Sequence, residues 1–460
     1  MNNQPSAPAL GPMSRRSLLQ IGGLACLGLE FVGIFRGAAA KAAAPRQAAK
    51  ARLRSCILIF CDGGPSHIDT FDMKPDAPAE ARGEFRPIAT SVPGLRVCEH
   101  LPRTARVMHH LAVIRSMCHR MRGHRSGVTQ TLCGLPPPAG DVCDIPPERQ
   151  QLPSYGSRLA YVLKEPTLSL PHVLLPYPAK DGPYVLPGQT AGFLGAAYQP
   201  LRVEHDPNAP DFGIPTLNLP AEMTLDRLEH RASLLGLIDA QQQRLAALES
   251  CRRMTTCQRR AFRALGEGAV RAAFELTREA PGTRDRYGRN IVGQSVLLAR
   301  RLVEAGVRCV NVNIGSQENE WYWDDHKDVF GGHRKRLAPF DAAFSALVED
   351  LAARGLLAST LVLCLGEFGR TPKINKDAGR DHWPDCYCAV LAGGGVRAGE
   401  CYGSSDRIGA YPAADPVGPA DLAATLFWRF GLDPATALTD ELGRPFRLAE
   451  GTPVTALFDG

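Results

Sequence analysis

The sequence predicts an α/β fold built on a mainly parallel sheet sandwiched by helices. Two observations lead to that class. Short apolar runs without polar breaks, Ser55–Cys61 and Thr360–Leu365 above all, read as strands covered on both faces. Segments with apolar residues at helical spacing separate these runs, and strands alternating with helices are the pattern of a parallel sheet with crossovers. At 460 residues the chain is long for one domain, yet within the range of an α/β unit with a large core.

The elements follow in order. The strand Ser55–Cys61 ends in a sharp turn, Asp62-Gly63-Gly64-Pro65. Leu111–Ile114 is a second short strand, followed by a polar loop and a helical segment near Ser126–Cys133. Residues 135–220 are rich in proline, glycine and leucine and read as long ordered loops over the core, where function often resides. Beyond Thr224, Leu225, Leu228, Leu234, Leu235 and Leu237 recur at helical spacing with charges between them, which predicts a helical insertion over 221–282. A helix over Asn290–Ala305, a strand over Val307–Ile314 and a helix over Pro339–Ala353 come next. Then follow the strand Thr360–Leu365, a strand over Cys388–Leu391 and a helix over Pro419–Phe430. There is no internal repeat, so residues 45–460 read as a single domain.

Residues 1–44 are not part of that fold. Ser14-Arg15-Arg16-Ser17-Leu18-Leu19 precedes an apolar stretch from Ile21 to Ile34 and the small-residue run Gly37-Ala38-Ala39-Ala40. Twin arginine, apolar core and alanine-rich exit make a Tat export signal, which predicts a protein of the periplasm or the cell exterior. No membrane span is expected once that signal is removed. The net charge of +6 is mild, and no lysine–arginine run alternates with aromatics, which excludes nucleic acid as a partner. Of the 14 cysteines, Cys56, Cys61, Cys309 and Cys364 fall in apolar runs and read as core. Cys386 and Cys388 form only a CxC, with no CxxC pair to suggest structural zinc.

Chemistry concentrates at four strand exits, the edge where open α/β sheets bind ligands. The first is Asp62-Gly63-Gly64-Pro65-Ser66-His67-Ile68-Asp69, where His67 and Asp69 add to what would otherwise be an ordinary Asp-Gly turn. The second, after Val310–Ile314, carries Asp324 and His326, a carboxylate and an imidazole two residues apart. Glu367 and Arg370 form the third, Asp381-His382 the fourth. The Arg370 guanidinium suits a bidentate oxyanion, or else a salt bridge to Glu367. Asp62, Asp324, His326, Glu367 and His382 together suffice for one divalent metal, or for two about 4 Å apart. The mixture of nitrogen and oxygen donors favours zinc or manganese over calcium.

These strings resemble the bacterial family called domain of unknown function 1501, part of the alkaline phosphatase and sulfatase superfamily. The resemblance spans residues 14–460 and rests on Asp62-Gly63-Gly64-Pro65-Ser66-His67, Arg115-Ser116-Met117 and Arg286-Tyr287-Gly288-Arg289. It rests also on Gly366-Glu367-Phe368-Gly369-Arg370-Thr371-Pro372 and Gly379-Arg380-Asp381-His382-Trp383-Pro384. It implies an alkaline phosphatase-like fold with Asp62 as the first metal-binding carboxylate, Asp324 and His326 as a ligand pair, Glu367 as the next carboxylate and His382 as the late histidine. Phe368 stands where a histidine ligand usually follows the third carboxylate. His124–Gly134 is similar to the sulfatase nucleophile helix, with His124 at the nucleophile position and Ser126 as the alternative. No Cys-x-Pro-x-Arg string is present, which argues against a formylglycine mechanism.

The expected function is therefore a secreted metal-dependent hydrolase of phosphate or sulfate esters. Sulfated or phosphorylated polysaccharides fall within its range. Arg370 would hold the anion, while His124, Ser126 or His67 would deliver the nucleophile or a proton. The alternatives are a non-catalytic envelope or polysaccharide-binding protein that keeps the fold, and a phosphotransferase or mutase.

Overall fold

The computed structural model describes residues 53–138, 140–141, 152–163, 170–181, 184–214, 268–315, 322–440 and 442–459, with isolated positions between 217 and 234. Residues 1–44, expected from the sequence to be an export signal, and most of the expected 221–282 insertion lie outside the described residues. Ala49–Gly460 forms one compact unit. Its principal strands are β1 (Ser55–Cys61), β2 (Leu111–Met117), β3 (His172–Leu175), β4 (Leu201–Arg202) and β5 (Cys309–Ile314). They continue with β6 (Thr360–Leu365), β7 (Gly369–Arg370), β8 (His382–Trp383), β9 (Tyr387–Gly393) and β10 (Glu400–Tyr402). The principal helices are α1 (His124–Cys133), α2 (Tyr155–Leu163), α3 (Ile291–Glu304), α4 (Val329–Ala353) and α5 (Pro419–Arg429).

Among the described residues the central sheet has the order β10-β2-β9-β6-β1-β5-β3-β4. β1 pairs in parallel with both β5 and β6, β3 with β4 and β5, and β2 with β10. Only β9 opposes its neighbours, antiparallel to both β6 and β2. The sheet is thus mainly parallel, as the uninterrupted apolar runs predict. The reversal of β9 matters for function. Its N-terminal end lies at the edge where its neighbours have their C-terminal ends, so the preceding segment is delivered to that same edge.

Alternation along β1 divides the core. Ile57, Ile59 and Cys61 pack with Val296 and Leu297 of α3 and Leu337 and Phe340 of α4. Cys56, Leu58 and Phe60 pack with Val128 and Leu132 of α1, Leu159 of α2 and Leu426 and Phe427 of α5. Successive side chains of a strand point to opposite faces, so a strand this apolar requires a helical layer on each side. Among the described residues no helix is long and apolar enough to cross a membrane, and no cysteines are paired.

Two elements differ from the sequence expectation. Residues 135–220 are not only loops, since β3 and β4 from this segment extend the main sheet beyond β5. Runs of four and two residues are too short to show a period, and their strand character comes from the neighbour they pair with. The helix expected from Pro339 begins ten residues earlier, at Val329, with Pro339 inside it. Asp328 caps it by accepting from Gly331 N–H at 3.1 Å. Buried Phe330, His333, Leu337, Phe340, Phe344 and Leu347 continue the helical spacing across the proline. That packed face outweighs the hydrogen bond the proline removes.

A second layer braces the site edge. Arg380, fully buried, grips Asp69 with Nε–Oδ2 at 2.7 Å and Nη2–Oδ1 at 3.1 Å, and donates to the Ala81 carbonyl at 2.8 Å. Asp69, expected near the chemistry, is thereby a structural anion. Arg380→Leu leaves that buried carboxylate without its countercharge and is expected to cost about 3–5 kcal/mol of stability. Urea unfolding measures this, and adding Asp69→Asn should recover part of the loss. An unchanged midpoint would contradict the buried pair.

Candidate metal centre

The turn after β1 is shaped by two glycines. Gly63 has φ +106 and its backbone lies so near Trp323 that a Cβ would come within 2.7 Å of the Trp323 nitrogen. Gly64 has φ +74, and a Cβ there would meet the Phe368 ring at 2.7 Å. Only glycine suits both the positive φ and the close approach. The exits of β1, β5 and β6 can therefore touch. Gly63 N–H donates to both oxygens of Glu367, at 3.0 and 3.1 Å, and Trp323 N–H donates to the Asp62 carbonyl at 2.9 Å.

Asp324 is the hub. Its Oδ1 accepts from Arg370 Nη2 at 2.6 Å and lies 3.1 Å from His382 Nε2 and 3.2 Å from His326 Nε2. Its Oδ2 lies 3.1 Å from His124 Nε2. Each of the three imidazoles has its other nitrogen against an outer acceptor. His124 Nδ1 is 2.6 Å from Glu367 Oε1, His326 Nδ1 is 2.7 Å from Asp381 Oδ1, and His382 Nδ1 is 2.8 Å from the Arg122 carbonyl. An Nδ1–H held by a carboxylate or carbonyl is the outer-shell arrangement that turns Nε2 into a ligand. The two Nε2 atoms of His326 and His382 stand only 3.1 Å apart. Donor atoms of His124, Asp324 and His382 all lie within 4.8 Å of one another, so these three residues form a group able to hold a metal ion.

The charges are strongly perturbed. Burial drives the Asp62 carboxyl well above its ordinary range, with Glu367 and Asp324 adding to the rise and His124 opposing it. Its Oδ1 is buried with no hydrogen-bond partner among the described residues. Burial would also raise Asp324, but hydrogen bonds from His124 and His382 and the Arg370 charge outweigh it and hold that carboxyl well below the usual range. For His124, burial disfavours the charged ring, yet Asp324 and Glu367 overcome it and lift the pKa to about 9. Burial lowers His382, helped by the neighbouring His124 and Arg370 charges and opposed by Asp324, which favours the neutral ring that a metal requires. A buried carboxylate oxygen without a partner among the described residues, close to the charges of Glu367, Asp324 and His124, fits a divalent cation.

The structure thus gathers Asp324, His326, His382 and Glu367 with His124, the expected nucleophile candidate, and Asp62 lies close enough to feel the charges of Glu367, His124 and Asp324. Three expected roles find a different geometry. Arg370 is no anion fork: fully buried, it donates from Nε to the Gly64 carbonyl at 2.8 Å, from Nη2 to Gly63 and Asp324, and from Nη1 to Arg380 at 3.1 Å. Its salt bridge is to Asp324 rather than to Glu367. Ser126 spends its hydroxyl on the Gly123 carbonyl at 3.0 Å and on Asp141, whose carboxylate also takes Arg122 and Gly123 N–H at 2.8 and 3.0 Å. His67, buried, meets the Gly409 carbonyl through Nε2 at 2.8 Å and lines a separate cavity of about 40 Å³ with Trp323 and Phe368. Phe368 forms the floor, its ring centroid 4.5 Å from that of His382 and 5.1 Å from that of His124.

Several supporting groups escaped the sequence reading. His119 accepts Met121 N–H on Nδ1 at 3.0 Å and so donates from Nε2 to the Glu367 carbonyl at 2.6 Å. The backbone carbonyl of Arg122 orients His382, a contact that leaves no mark in side-chain identity. A signal for His119 did exist, because β2 runs on to Met117 and carries it to the site edge beside His124, which the sequence singles out as a nucleophile candidate.

Comparison with known proteins gives one family. Residues 53–458 match the family described as protein of unknown function (DUF1501). No curated protein matches the sequence. Among solved structures, the chain is similar to a lipoteichoic acid synthase from Listeria monocytogenes at 8% identity and TM-score 0.36, covering 87% of this chain and 75% of the other. It is similar to the phosphonate monoester hydrolase of Agrobacterium radiobacter at 13% identity and TM-score 0.39, covering 88% and 77%. A sulfatase from Pseudoalteromonas sp. gives 13% identity and TM-score 0.35, covering 83% and 68%. Likenesses this shallow carry no argument about the chemistry of this chain.

The cluster makes a direct prediction about metal. Zinc or manganese added to the chelated protein should raise its unfolding midpoint, by about 2.7 kcal/mol of stabilisation at roughly a hundredfold excess over Kd. His382→Ala and His326→Ala should each remove most of that gain. Asp62→Asn should weaken the gain too, while leaving the metal-free protein at least as stable, because it deletes a buried carboxylate with like-charged neighbours. A wild-type midpoint indifferent to both metals would sink the site.

Proposed function

The chain belongs to the DUF1501 family, and we propose that it is a metal-dependent hydrolase of phosphate or sulfate esters, exported through its twin-arginine signal. The observation that carries this reading is the convergence of the His124, His326 and His382 Nε2 atoms on one carboxylate, Asp324. Asp62 and Glu367 supply further oxygens at the same edge. His124, Asp324 and His382 would hold a divalent cation, with His326 beside them and Asp62 completing the shell. Such a cation supplies a Lewis acid for an ester oxygen.

The chain's own groups then divide the work. Glu367, Asp381 and the Arg122 carbonyl fix the three imidazoles in the orientation that presents Nε2. Arg370 holds Asp324 in place, so no rearrangement is needed when substrate arrives. Positive charge for an anionic substrate comes from Arg120, Arg122 and Arg125, which surround His124 in sequence at the start of α1. With Ser126 and His67 engaged elsewhere and His124 held between Glu367 and Asp324, water is the nucleophile in this reading. The motif resemblance to the alkaline phosphatase superfamily supports phosphate or sulfate as the ester.

A second reading is favoured by one observation. Phe368 packs on two of the imidazoles where a ligand would complete a second metal site. A fold-retaining binding protein could keep one ion and have no turnover. Aryl phosphate and aryl sulfate hydrolysis separates the two. The hydrolase reading expects turnover that a chelator abolishes and the metal restores, and a loss of at least about a hundredfold in His382→Ala. Protein loaded with metal yet inert toward both ester classes would establish the binding reading instead.

A further inference from the structure

An aromatic and cationic surface adjoins the metal centre. β7 and β8 pair antiparallel, with Arg370 opposite His382 and Gly369 opposite Trp383. Residues directly opposite share a face, and successive residues face opposite ways. The pairing therefore places Arg370 and His382 together beside Asp324, and sends Trp383 to the other face. Gly369 leaves room there that a Cβ would lose against Cys386 and His67.

Trp383 is half-buried, and its indole N–H donates to the Ala410 carbonyl at 2.6 Å. Tyr411 packs edge-on to it, centroids 5.6 Å apart at 61°. Tyr411 is 52% exposed, rare for a large apolar side chain among the described residues. The tip that presents it is tied down. Asp406 accepts from Ile408 and Ala410 N–H at 3.1 and 2.8 Å, Asp406 N–H donates to the Tyr411 carbonyl at 2.8 Å, and His67 meets the Gly409 carbonyl from beneath. On the other side the Arg122 guanidinium stands 5.5 Å from the Trp383 ring centroid, bonded to Asp385 at 2.6 Å and 54% exposed. Arg122 is also the residue whose carbonyl orients His382. The platform and the metal centre share a backbone.

We infer that Trp383, Tyr411 and Arg122 form a glycan subsite, which places the esters of the proposed hydrolase on an anionic polysaccharide. This rests on the hydrolase reading for its chemistry, though not for its binding. A sugar ring offers an apolar C–H face that lies on an aromatic surface, and a sulfate or phosphate substituent suits an arginine fork. A rigid aromatic pair costs little ordering entropy on binding. Arg122 can exchange its exposed Asp385 contact for the substituent, since an exposed ion pair of this kind contributes little.

Calorimetric titration of chelated protein tests the binding without turnover. The probes are a sulfated dextran oligosaccharide, unsulfated dextran of the same length, and inorganic sulfate. The sulfated oligosaccharide should bind tightest and inorganic sulfate weakest. Tyr411→Ala should weaken both oligosaccharides by roughly tenfold, about 1.4 kcal/mol, whereas Arg122→Gln should weaken only the sulfated one. Leu442→Ala, an exposed apolar residue in another loop, serves as the control. Equal affinity in wild type and Tyr411→Ala overturns the subsite, because bare charge attraction would then explain all binding. Tighter binding of a single-stranded oligonucleotide than of sulfated dextran overturns it as well. Aryl ester hydrolysis without oligosaccharide binding removes the subsite and leaves the hydrolase, whereas binding without any hydrolysis does the reverse.

Discussion

The site depends on one buried guanidinium. Arg370 lies at 0% exposure, and a cation so placed must find acceptors for its whole fork. It finds them on three different strand exits. Gly63 and Gly64 after β1, Trp323 and Asp324 after β5, and Arg380 before β8 all turn oxygens toward it. The demand for hydrogen bonds thus becomes a demand on backbone path. The glycines are what let β1's exit comply, since any side chain at Gly63 or Gly64 would collide with Trp323 or Phe368. Once the exits are gathered, Asp324 is held on its Oδ1 side and the imidazoles can close around it.

The reversed strand supplies the rest. Had β9 run parallel to its neighbours, the segment before it would have emerged at the far edge of the sheet, with His382 and Asp381 far from Asp324. Reversal lets one short hairpin, β7 with β8, bridge the end of β6 and the start of β9. The hairpin's two-residue period then sorts functions by face, with metal-facing groups on one side and Trp383 on the other. A register slip by one residue would exchange them.

How legible this was varies by element and for physical reasons. The buried strands announced themselves, because a strand covered on both faces must be apolar throughout, as Ile57–Phe60 and Leu361–Leu365 are. Asp62, Asp324, His326 and Glu367 were readable as candidate donors because each follows a strand end, while His382 was read as a strand exit although it lies in β8, before the reversed β9. Arg370 was readable as important and misleading as to why. Its fork suits an oxyanion and a set of carbonyls equally well, and only burial decides between them. Ser126 failed similarly, since nothing in a helix-start serine reveals that Asp141 has taken its hydroxyl. β3 and β4 were hidden because their strand character is borrowed from β5. The helix expected from Pro339 was cut short by a residue rule that a packed face can override. The Arg122 carbonyl was invisible in principle, because every residue has one.

Charge balance gives the cluster its final logic. Asp62, Asp324 and Glu367 bring three carboxylates, and Arg370 brings one fixed positive charge, which leaves two negative charges when all are ionised. Without a metal the deficit is met by displaced protons. His124 is driven up to about 9, and Asp62 is driven toward its neutral form by burial and its neighbours. The His124 shift comes from the surrounding carboxylates against burial, and the Asp62 shift comes from burial first and those same carboxylates second. A divalent cation would cancel the two charges with His124 neutral and Asp62 ionised, the forms in which each would be a ligand. Metal entry and proton release would then be one event, because ligands of this kind bind only when deprotonated. The placement of Arg370 follows from the same balance. A second mobile cation at Asp324 would compete with the metal, whereas a buried arginine locked by backbone carbonyls steadies the carboxylate from one side and leaves Oδ2 to the imidazole and the ion.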